Sequence, residues 1–496
     1  MNVLTSSPPS TLRLSGRHHA ELADHLFPGD GCEAVALLLC GRALRDERHV
    51  LTAYEVVPIP HDACTERTPV RVSWPTSAIE DALQRAARRG LAVVKVHSHP
   101  TGHPVFSETD DASDGDLFPS VFGWTDDPGP HGSAVMLPDG RVFARAAYDD
   151  GRGGVRFEPV ERVAVAGDDV SVWFHDDVRA TSGASEGDVP EFARRHAQAF
   201  GAGTTALLRR LSVAVVGCSG TGSPVIEMLA RLGVGELVLV DPDVVEEKNL
   251  NRIVNATRAD AEAERPKVDV LADAVRRMGL GTRVVPLAAT LFDPAVVRRV
   301  SACDLVVGCV DTVDGRDLLN RLAAYYLLPY VDVGVRLDAD GAGGVDGING
   351  TVQYLQPSGS SLMSRGSITP EALAAATLRR TDPEAYEGLR REKYVLGVEE
   401  DRPAVVSVNT YFAAMAVNEV LARLHPYRIE ENGAFATYRA NLVQARLLQE
   451  PEGPPCPALA PKAGRGDARP LLGMPELSDR VGPSSANPGG VGRRAA

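Results

Sequence analysis

The sequence lacks an excess of positive charge. Its 52 lysines and arginines are outnumbered by 66 aspartates and glutamates, which gives a formal net charge of −14. Because surfaces that follow a nucleic-acid backbone are usually basic, the composition argues against a nucleic-acid partner. No apolar run approaches the roughly 18 to 20 residues of a membrane span, and residues 1–16 lack the apolar core of a signal peptide.

Cysteine is also scarce, with seven residues in 496. These seven residues form no CxxC pair and no regular ladder of the kind found in disulfide-rich secreted proteins. The cysteine usage suits a reducing compartment, so we expect a cytoplasmic protein without a membrane partner.

A candidate metal site follows the apolar strand predicted over residues 91–96. His97 and His99 stand two apart, and strand residues two apart point to the same side. Ser107 suits a helix N-cap, which would place Asp110 in the first helical turn, facing the imidazoles. Separately, these residues could be a solvated strand end and a capping pair. Together, two histidines and one carboxylate leave a zinc position open for water, as catalytic sites do.

The run from His97 to Asp110 resembles the motif of JAB/JAMM (MPN-type) metalloproteases, and the resemblance covers about residues 20–150. It implies an α+β fold that binds zinc through His97, His99 and Asp110. Ser107 would help to stabilise the oxyanion. The implied reaction is cleavage of peptide or isopeptide bonds after ubiquitin-like C-termini.

The same resemblance places the general acid and base at Glu33, which precedes an apolar strand predicted over residues 34–39. The residues alone do not choose Glu33 over Glu47 or Glu55.

A candidate nucleotide site begins at residue 211. An apolar strand over 211–216 leads into a small-residue turn and a helix, and a second strand over 237–240 ends in Asp241. This arrangement puts phosphates on a helix N-terminus and a ribose on the acid. Ser219 stands where the usual motif has its second glycine. On this turn alone, an NAD-dependent oxidoreductase is an equally good interpretation.

Charged residues further along favour ATP over NAD. Arg252, Lys267 and Asp311 would have little use around the pyrophosphate of NAD. A site that attacks the α-phosphate of ATP needs cations to neutralise the triphosphate and a carboxylate to hold magnesium. The sequence has no G-x-x-x-x-G-K-[ST], so this is not a P-loop.

The set GxxGxGS, DPDxVExxNLNR, Lys267 and DTxxxR resembles the ThiF/MoeB family, the adenylating core of ubiquitin-activating enzymes, over about residues 190–440. The resemblance implies a Rossmann-like domain with a mostly parallel sheet. It also implies a role in nucleotide binding for Gly217, Gly220, Gly222, Asp241, Asn249, Arg252 and Lys267. Asp311 would bind magnesium.

Two further expectations come from this resemblance. In this family, the leading helix carries an arginine that reaches the ATP of the partner protomer. Here that arginine would be Arg195, with Arg194 as the alternative. Such an arrangement implies a homodimer. Many members hold a structural zinc through CxxC pairs. The comparable stretch here is Ser361-Leu-Met-Ser364, so we expect no zinc in this half.

The predicted organisation has four parts. Residues 1–160 form the JAB/JAMM domain, 161–190 a linker, and 191–445 the ThiF domain, where strands and helices alternate. Residues 446–496 are rich in proline and glycine and are expected to be a disordered tail containing Cys456.

The expected function is a bifunctional enzyme of a bacterial ubiquitin-like modification system. One half would trim or remove a ubiquitin-like protein, and the other would adenylate the C-terminus of that protein. A conjugating enzyme or a sulfur donor would act after the adenylation. Activation of a sulfur-carrier protein for cofactor or metabolite synthesis is one alternative. A non-catalytic scaffold that binds a ubiquitin-like fold is another. No cysteine is well placed for a thioester step, so we expect the acyl group to pass directly to an external thiol.

Overall fold

The computed structural model describes residues 8–45, 48–179, 189–340, 342–391 and 403–478, and the structural statements below concern these residues. Two large β-sheets organise them, each with helices packed against it.

The first sheet uses strands from the first part of the chain. The strands there are β1 (Ser10–Ser15), β2 (Val35–Leu44), β3 (His49–Pro58), β4 (Glu66–Thr68), β5 (Arg71–Ser73), β6 (Ala92–Ser98), β7 (His131–Met136), β8 (Val142–Asp149), β9 (Val155–Pro159), β10 (Arg162–Ala166) and β11 (Val170–Phe174). Nine of them form a mixed sheet in the order β11-β10-β1-β3-β2-β6-β7-β8-β9, and β4 pairs with β5 as a separate hairpin. The expected α+β fold is confirmed.

Four helices accompany this sheet: α1 (Gly16–Leu26), α2 (Glu80–Arg89), α3 (Glu108–Thr125) and α4 (His175–Arg179). Helix α2 ends at Gly90, which takes a left-handed conformation with φ of 63° that glycine adopts without strain. Ser107 caps α3, with reciprocal bonds between the Ser107 and Asp110 side chains and backbones. The cap fixes where Asp110 lies relative to the end of β6.

The second sheet has eight strands. They are β12 (Ser212–Val216), β13 (Glu236–Val240), β14 (Arg283–Leu287), β15 (Leu305–Gly308), β16 (Tyr330–Ala339), β17 (Val345–Leu355), β18 (Thr437–Asn441) and β19 (Arg446–Glu450). Their order is β14-β13-β12-β15-β16-β17-β18-β19. The pairs from β14 to β16 are parallel and those from β16 to β19 are antiparallel.

Helices pack on both faces of this second sheet. They are α5 (Arg194–Arg210), α6 (Gly222–Arg231), α7 (Arg258–Glu262), α8 (Lys267–Met278), α9 (Pro294–Ser301), α10 (Val313–Tyr326), α11 (Pro370–Thr381), α12 (Pro383–Arg391) and α13 (Val406–Leu424). Val213 and Val215 of β12 pack with α6, α8 and α13 on one face. Ala214 and Val216 pack with α9 and α10 on the other. This alternation is the reason that the strand reads as a continuous apolar run.

The linker predicted over 161–190 is corrected for its first part. Strands β10 and β11 lie inside it, and β10 pairs in parallel with β1, from Thr11 opposite Arg162 to Ser15 opposite Ala166. Val163 and Phe174 are buried in consequence. The pairing joins segments far apart in the sequence, so local composition did not reveal it. Residues 180–188 of the predicted linker lie outside the described residues.

The disorder expected for 446–496 does not extend to its described part, residues 446–478. This segment returns to the first sheet, where the carbonyl of Gly464 accepts bonds from the Gly41 amide (3.1 Å) and the Thr52 hydroxyl (2.8 Å). Gly464 has φ of +80°, and a Cβ there would overlap the carbonyl of Ala53. A glycine-rich segment needs no core of its own when it packs between two existing sheets. Residues 479–496 lie outside the described residues.

Arg13 connects the two domains that contain the two sheets. Its side chain on β1 is 1% exposed and donates to the carbonyls of Ser301 (2.9 Å), Cys303 (2.6 Å) and Tyr326 (3.1 Å) in the second half. Burial lowers the pKa of Arg13 to about 10, so the guanidinium stays charged at neutral pH. The two halves therefore meet through a buried, hydrogen-bonded charge.

Candidate active sites

His97, His99 and Asp110 form a buried cluster at the end of β6. The Nε2 atom of His97 lies 3.1 Å from Nε2 of His99 and 2.8 Å from Oδ1 of Asp110, and His99 Nε2 lies 3.4 Å from Asp110 Oδ2. Donors that share one zinc ion at about 2.0–2.2 Å are themselves roughly 3–4 Å apart. The donor set and its spacing fit a zinc ion with three protein ligands.

Hydrogen bonds orient two of the three candidate ligands. His99 Nδ1 lies 2.8 Å from the carbonyl of His103. This contact leaves Nε2 of His99 as the ring nitrogen that can bind a metal in the cluster. Asp110 Oδ2 accepts from the amide and the hydroxyl of Ser107, at 2.7 and 2.8 Å. The Ser107 hydroxyl is therefore beside the cluster, where the sequence placed it.

The pKa values of all three residues in the cluster are shifted from their usual values. Burial acts to raise the pKa of Asp110, but hydrogen bonds with His97 and His99 outweigh it and hold that pKa well below its usual range. Burial lowers the pKa of His97. Burial also acts to lower the pKa of His99, but hydrogen bonds with Asp110 and the His103 carbonyl outweigh it and raise that pKa. An ionised carboxylate and a neutral imidazole are the forms that bind metal.

Glu33 borders the cavity in front of this cluster. The lining includes Glu33, Lys95, His97, Asp110, Arg71 and Trp74, the last two from the β4–β5 hairpin and just after it. Burial raises the pKa of Glu33 to about 7, partly opposed by the nearby His99. A carboxyl with such a pKa can both donate and accept a proton near neutral pH.

A buried ion group behind the cluster was missed by the sequence reasoning. The Lys95 ammonium and the Arg145 guanidinium both contact the Asp114 carboxylate, which is fully buried. The available signal was position: Lys95 lies two residues before His97 on the same face of β6, and Asp114 lies one turn after Asp110 on α3.

The glycine turn between β12 and α6 is tightly built. Gly217 has φ of +90°, and a Cβ there would lie 2.5 Å from the carbonyl oxygen of Cys309. A Cβ on Gly222 would overlap the carbonyl of Gly217, and one on Gly220 would overlap the side-chain amide of Asn409. Ser219, which stands where the usual motif has its second glycine, is partly exposed.

Amide groups of this turn are available for a ligand. Among the described residues, the backbone N–H groups of Ser219, Gly220 and Thr221 have no acceptor. They lie at the start of α6, where the helix dipole favours an anion. The turn can therefore bind phosphate oxygens.

Asp241 and Lys267 lie beside the turn. Oδ2 of Asp241 accepts from the Cys218 amide at 2.7 Å, and Oδ1 accepts from the Asp243 amide at 2.9 Å. Lys267 Nζ lies 2.7 Å from Asp243 and 3.8 Å from Asp241. Burial raises the pKa of Asp241, and the charge of Lys267 opposes that rise.

Asn249, Arg252 and Asp311 complete the predicted set around the turn. Oδ1 of Asn249 accepts from the Glu246 amide at 3.2 Å, which holds a 3₁₀ turn in place. The Cδ atom of Arg252 packs over Gly220, and its guanidinium donates to the carbonyl of Lys248. Asp311 is exposed and follows Cys309, whose carbonyl packs against Gly217.

Arg195 is not brought to this turn within its own chain. It is exposed near the start of α5, where the neighbouring Phe192 packs on Gly233, just before β13 begins. The glycine turn follows the opposite ends of the parallel strands. Arg194 is exposed as well and pairs with Glu191 at 2.7 Å.

Four of the seven cysteines, Cys40, Cys218, Cys303 and Cys456, are buried, and the other three are partly exposed. Cys218 and Cys303 are buried, and burial raises the pKa of both thiols and of Cys309. Cys456, expected in a flexible tail, is 4% exposed and its sulfur lies 3.1 Å from the Ser361 hydroxyl. It is a packed residue, because residues 446–478 are themselves packed.

The ThiF family profile matches residues 193–458, more than half of the chain. The chain belongs to the ThiF family. A second profile, for prokaryotic homologs of the JAB domain, matches residues 15–144. The chain is thus a fusion of a JAB-like domain with a ThiF domain, as the two resemblances implied.

Curated relatives match the ThiF half. The SAMP-activating enzyme E1 of Haloferax volcanii is 40% identical over 119 residues, which cover 24% of this chain and 43% of that protein. The molybdopterin-synthase adenylyltransferase of Salmonella typhimurium is 36% identical over 113 residues, which cover 23% of this chain and 45% of that protein. The chain therefore spans less than half the length of these relatives.

The crystal structure of E. coli MccB aligns with 56% of this chain and 73% of that chain, with a TM-score of 0.41 and 18% identity. Among the helices in the described ranges, none combines the length and apolar character that crossing a membrane would need.

Proposed function

We propose that the ThiF half uses ATP to activate the C-terminal carboxylate of a ubiquitin-like or sulfur-carrier protein. The carboxylate oxygen attacks the α-phosphorus of ATP, and the bond from that phosphorus to the departing pyrophosphate breaks. The observation that carries the proposal is the convergence of unpaired turn amides, Asp241 and Lys267 at one edge of the sheet. The names of the two curated relatives support the same reaction class.

Each residue of this site has a distinct task in the proposal. The turn amides at Gly220 and its neighbours bind phosphate oxygens, and Asp241 binds the ribose. Lys267 and Arg252 neutralise charge that builds up on the phosphates during the reaction, while Asn249 holds the loop that presents Arg252. Asp311 would hold magnesium, which adds further positive charge at the triphosphate.

We further propose that the chain works as a homodimer. Arg195 faces solvent at the end of the sheet opposite its own glycine turn, which supports a role in the nucleotide site of another copy. The proposed role of Arg195 requires a dimer, because Arg195 would act in the site of the other copy.

For the JAB-like half, we propose a zinc peptidase that acts on the same partner, in the cytoplasm. His97, His99 and Asp110 would hold the zinc, which supplies a Lewis acid beside the scissile bond. Glu33 would carry the proton from the attacking water to the leaving amine. Ser107 would donate to the carbonyl oxygen as charge builds up on it.

The nearest competing function is activation of a sulfur-carrier protein for cofactor synthesis, with trimming to expose its C-terminus. The similarity to a molybdopterin-synthase adenylyltransferase favours it. Both functions share the adenylation step and differ in the acceptor, a conjugating enzyme in one and a sulfur donor in the other. A scaffold without catalysis would need neither the unpaired amides nor the buried metal-type cluster.

The test of the adenylation function is exchange of labelled pyrophosphate into ATP. With magnesium and a ubiquitin-like partner, the chain should catalyse exchange. Lys267→Ala and Asp311→Ala should each reduce the rate by a factor on the order of 100 or more, because both charges act on the transition state. Arg231→Ala, which removes an exposed cation paired with Glu227, is the matched control and should retain full exchange. Tight binding of NAD with no binding of ATP would favour the oxidoreductase interpretation.

A further inference from the structure

Helix α13 begins beside the glycine turn, and its first residues approach the turn directly. A Cβ on Gly220 would overlap Nδ2 of Asn409 and would lie 3.1 Å from Cδ of Arg252. The Asn409 amide thus lies directly over the Gly220 backbone. Gly220 is glycine because Asn409 occupies the space that a side chain would need.

The Asn409 side chain is buried but has no partner. It is 7% exposed, and it forms no side-chain hydrogen bond with any residue of the described ranges. The amide atoms keep some contact with solvent, so a ligand can reach them, and polar groups placed in this way usually bind water or a ligand. An aliphatic side chain would pack here at lower cost if packing were its only task.

Two groups of donors lie close together at Gly220. On one side are the unpaired amides of Ser219, Gly220 and Thr221. On the other is the N-terminus of α13, where Val405 provides no side-chain cap, together with the Asn409 amide. Donors that converge from two elements on one point are suited to an oxyanion with several oxygens, such as a phosphate.

We propose that Asn409 is a further nucleotide ligand, whose Nδ2 donates a hydrogen bond to a phosphate oxygen seated on the glycine turn. The helix that carries it packs beside α6 on the same face of the sheet and borders the phosphate site. This inference rests on the proposed adenylation function, since that function supplies the nucleotide. The alternative oxyanion is the incoming carboxylate of the protein partner, which must approach the same phosphate.

The test measures ATP affinity by calorimetry with magnesium present, using the full chain. Asn409→Ala and the isosteric Asn409→Asp remove the donor, and Asn409→Asp also adds a negative charge facing the phosphate. Asn409→Ala should raise the ATP Kd on the order of 10-fold to 100-fold, as for loss of a hydrogen bond to a charged group, and Asn409→Asp should raise it further. Asn418→Ala, on the exposed side of the same helix, should leave the Kd unchanged.

The outcomes separate the inference from the function on which it rests. If the unmodified chain binds ATP and both Asn409 variants bind it equally well, Asn409 is not a nucleotide ligand and adenylation still stands. If the ATP Kd is unchanged but the KM for the protein partner rises, Asn409 binds the carboxylate and the phosphate assignment is wrong. If the unmodified chain binds no ATP, the adenylation function itself fails.

Discussion

The ion group behind the metal cluster should contribute measurably to stability. Lys95→Met removes one of two cations that contact the fully buried Asp114 carboxylate. Breaking a buried pair typically costs about 3–5 kcal/mol because the remaining charge stays desolvated. Since Arg145 still contacts Asp114 at 2.6 Å, we expect the low end of that range, about 3 kcal/mol.

Tryptophan fluorescence during urea unfolding can report this change. All three tryptophans, Trp74, Trp124 and Trp173, belong to the first sheet and its surroundings, so the signal follows the JAB-like half. Lys95→Met should lower the unfolding midpoint without a large change in the slope with denaturant.

Two comparisons make the result interpretable. Arg141→Met removes an exposed ion pair with Asp139, and such pairs contribute about 0–1 kcal/mol. The double variant Lys95→Met with Asp114→Leu leaves no unpaired acid and should recover most of the loss. The reasoning is wrong if Lys95→Met unfolds no earlier than Arg141→Met.

The remaining predictions concern both sites. His97→Ala should lose zinc in elemental analysis, whereas Glu33→Ala should keep zinc and lose cleavage, because Glu33 moves a proton and binds no metal; zinc retained in His97→Ala would contradict the assignment. Mixing inactive Arg195→Ala with inactive Asp311→Ala chains should restore some pyrophosphate exchange through mixed dimers, and no recovery despite chain exchange would place the arginine in its own site. Loading the partner with ATP should give no thiol-sensitive adduct on this chain in a non-reducing gel, since Cys456 is buried; an adduct that disappears in Cys456→Ser would make it the acyl carrier.

Local patterns were sufficient for much of the fold and for the candidate residues. The strand before His97 and the strand before the glycine turn are buried apolar runs, and short-range periodicity identifies such runs. The residues from His97 to Asp110 lie close in sequence, so a strand end and one helix cap fix their geometry. These parts depend on few long-range contacts.

Long-range pairing accounts for what the sequence did not reveal. Strand β10 was interpreted as linker because its partner β1 lies at the other end of the domain. The packing of residues 446–478 depends on a groove formed by two sheets, and Pro/Gly-rich composition reports only the lack of an independent core. Asn409 meets Gly220 from a helix much later in the chain, so no local motif contains both residues.

The proposal that both halves act on one C-terminus can be tested with a ubiquitin-like partner extended beyond its acceptor glycine. Pyrophosphate exchange is measured with the extended partner and with the trimmed partner, using the unmodified zinc-loaded chain and Glu33→Ala. The unmodified chain should support exchange with both partners, after a lag for the extended one. Glu33→Ala should support exchange with the trimmed partner only. Equal exchange by Glu33→Ala with both partners would contradict the proposal that the first half prepares the substrate of the second.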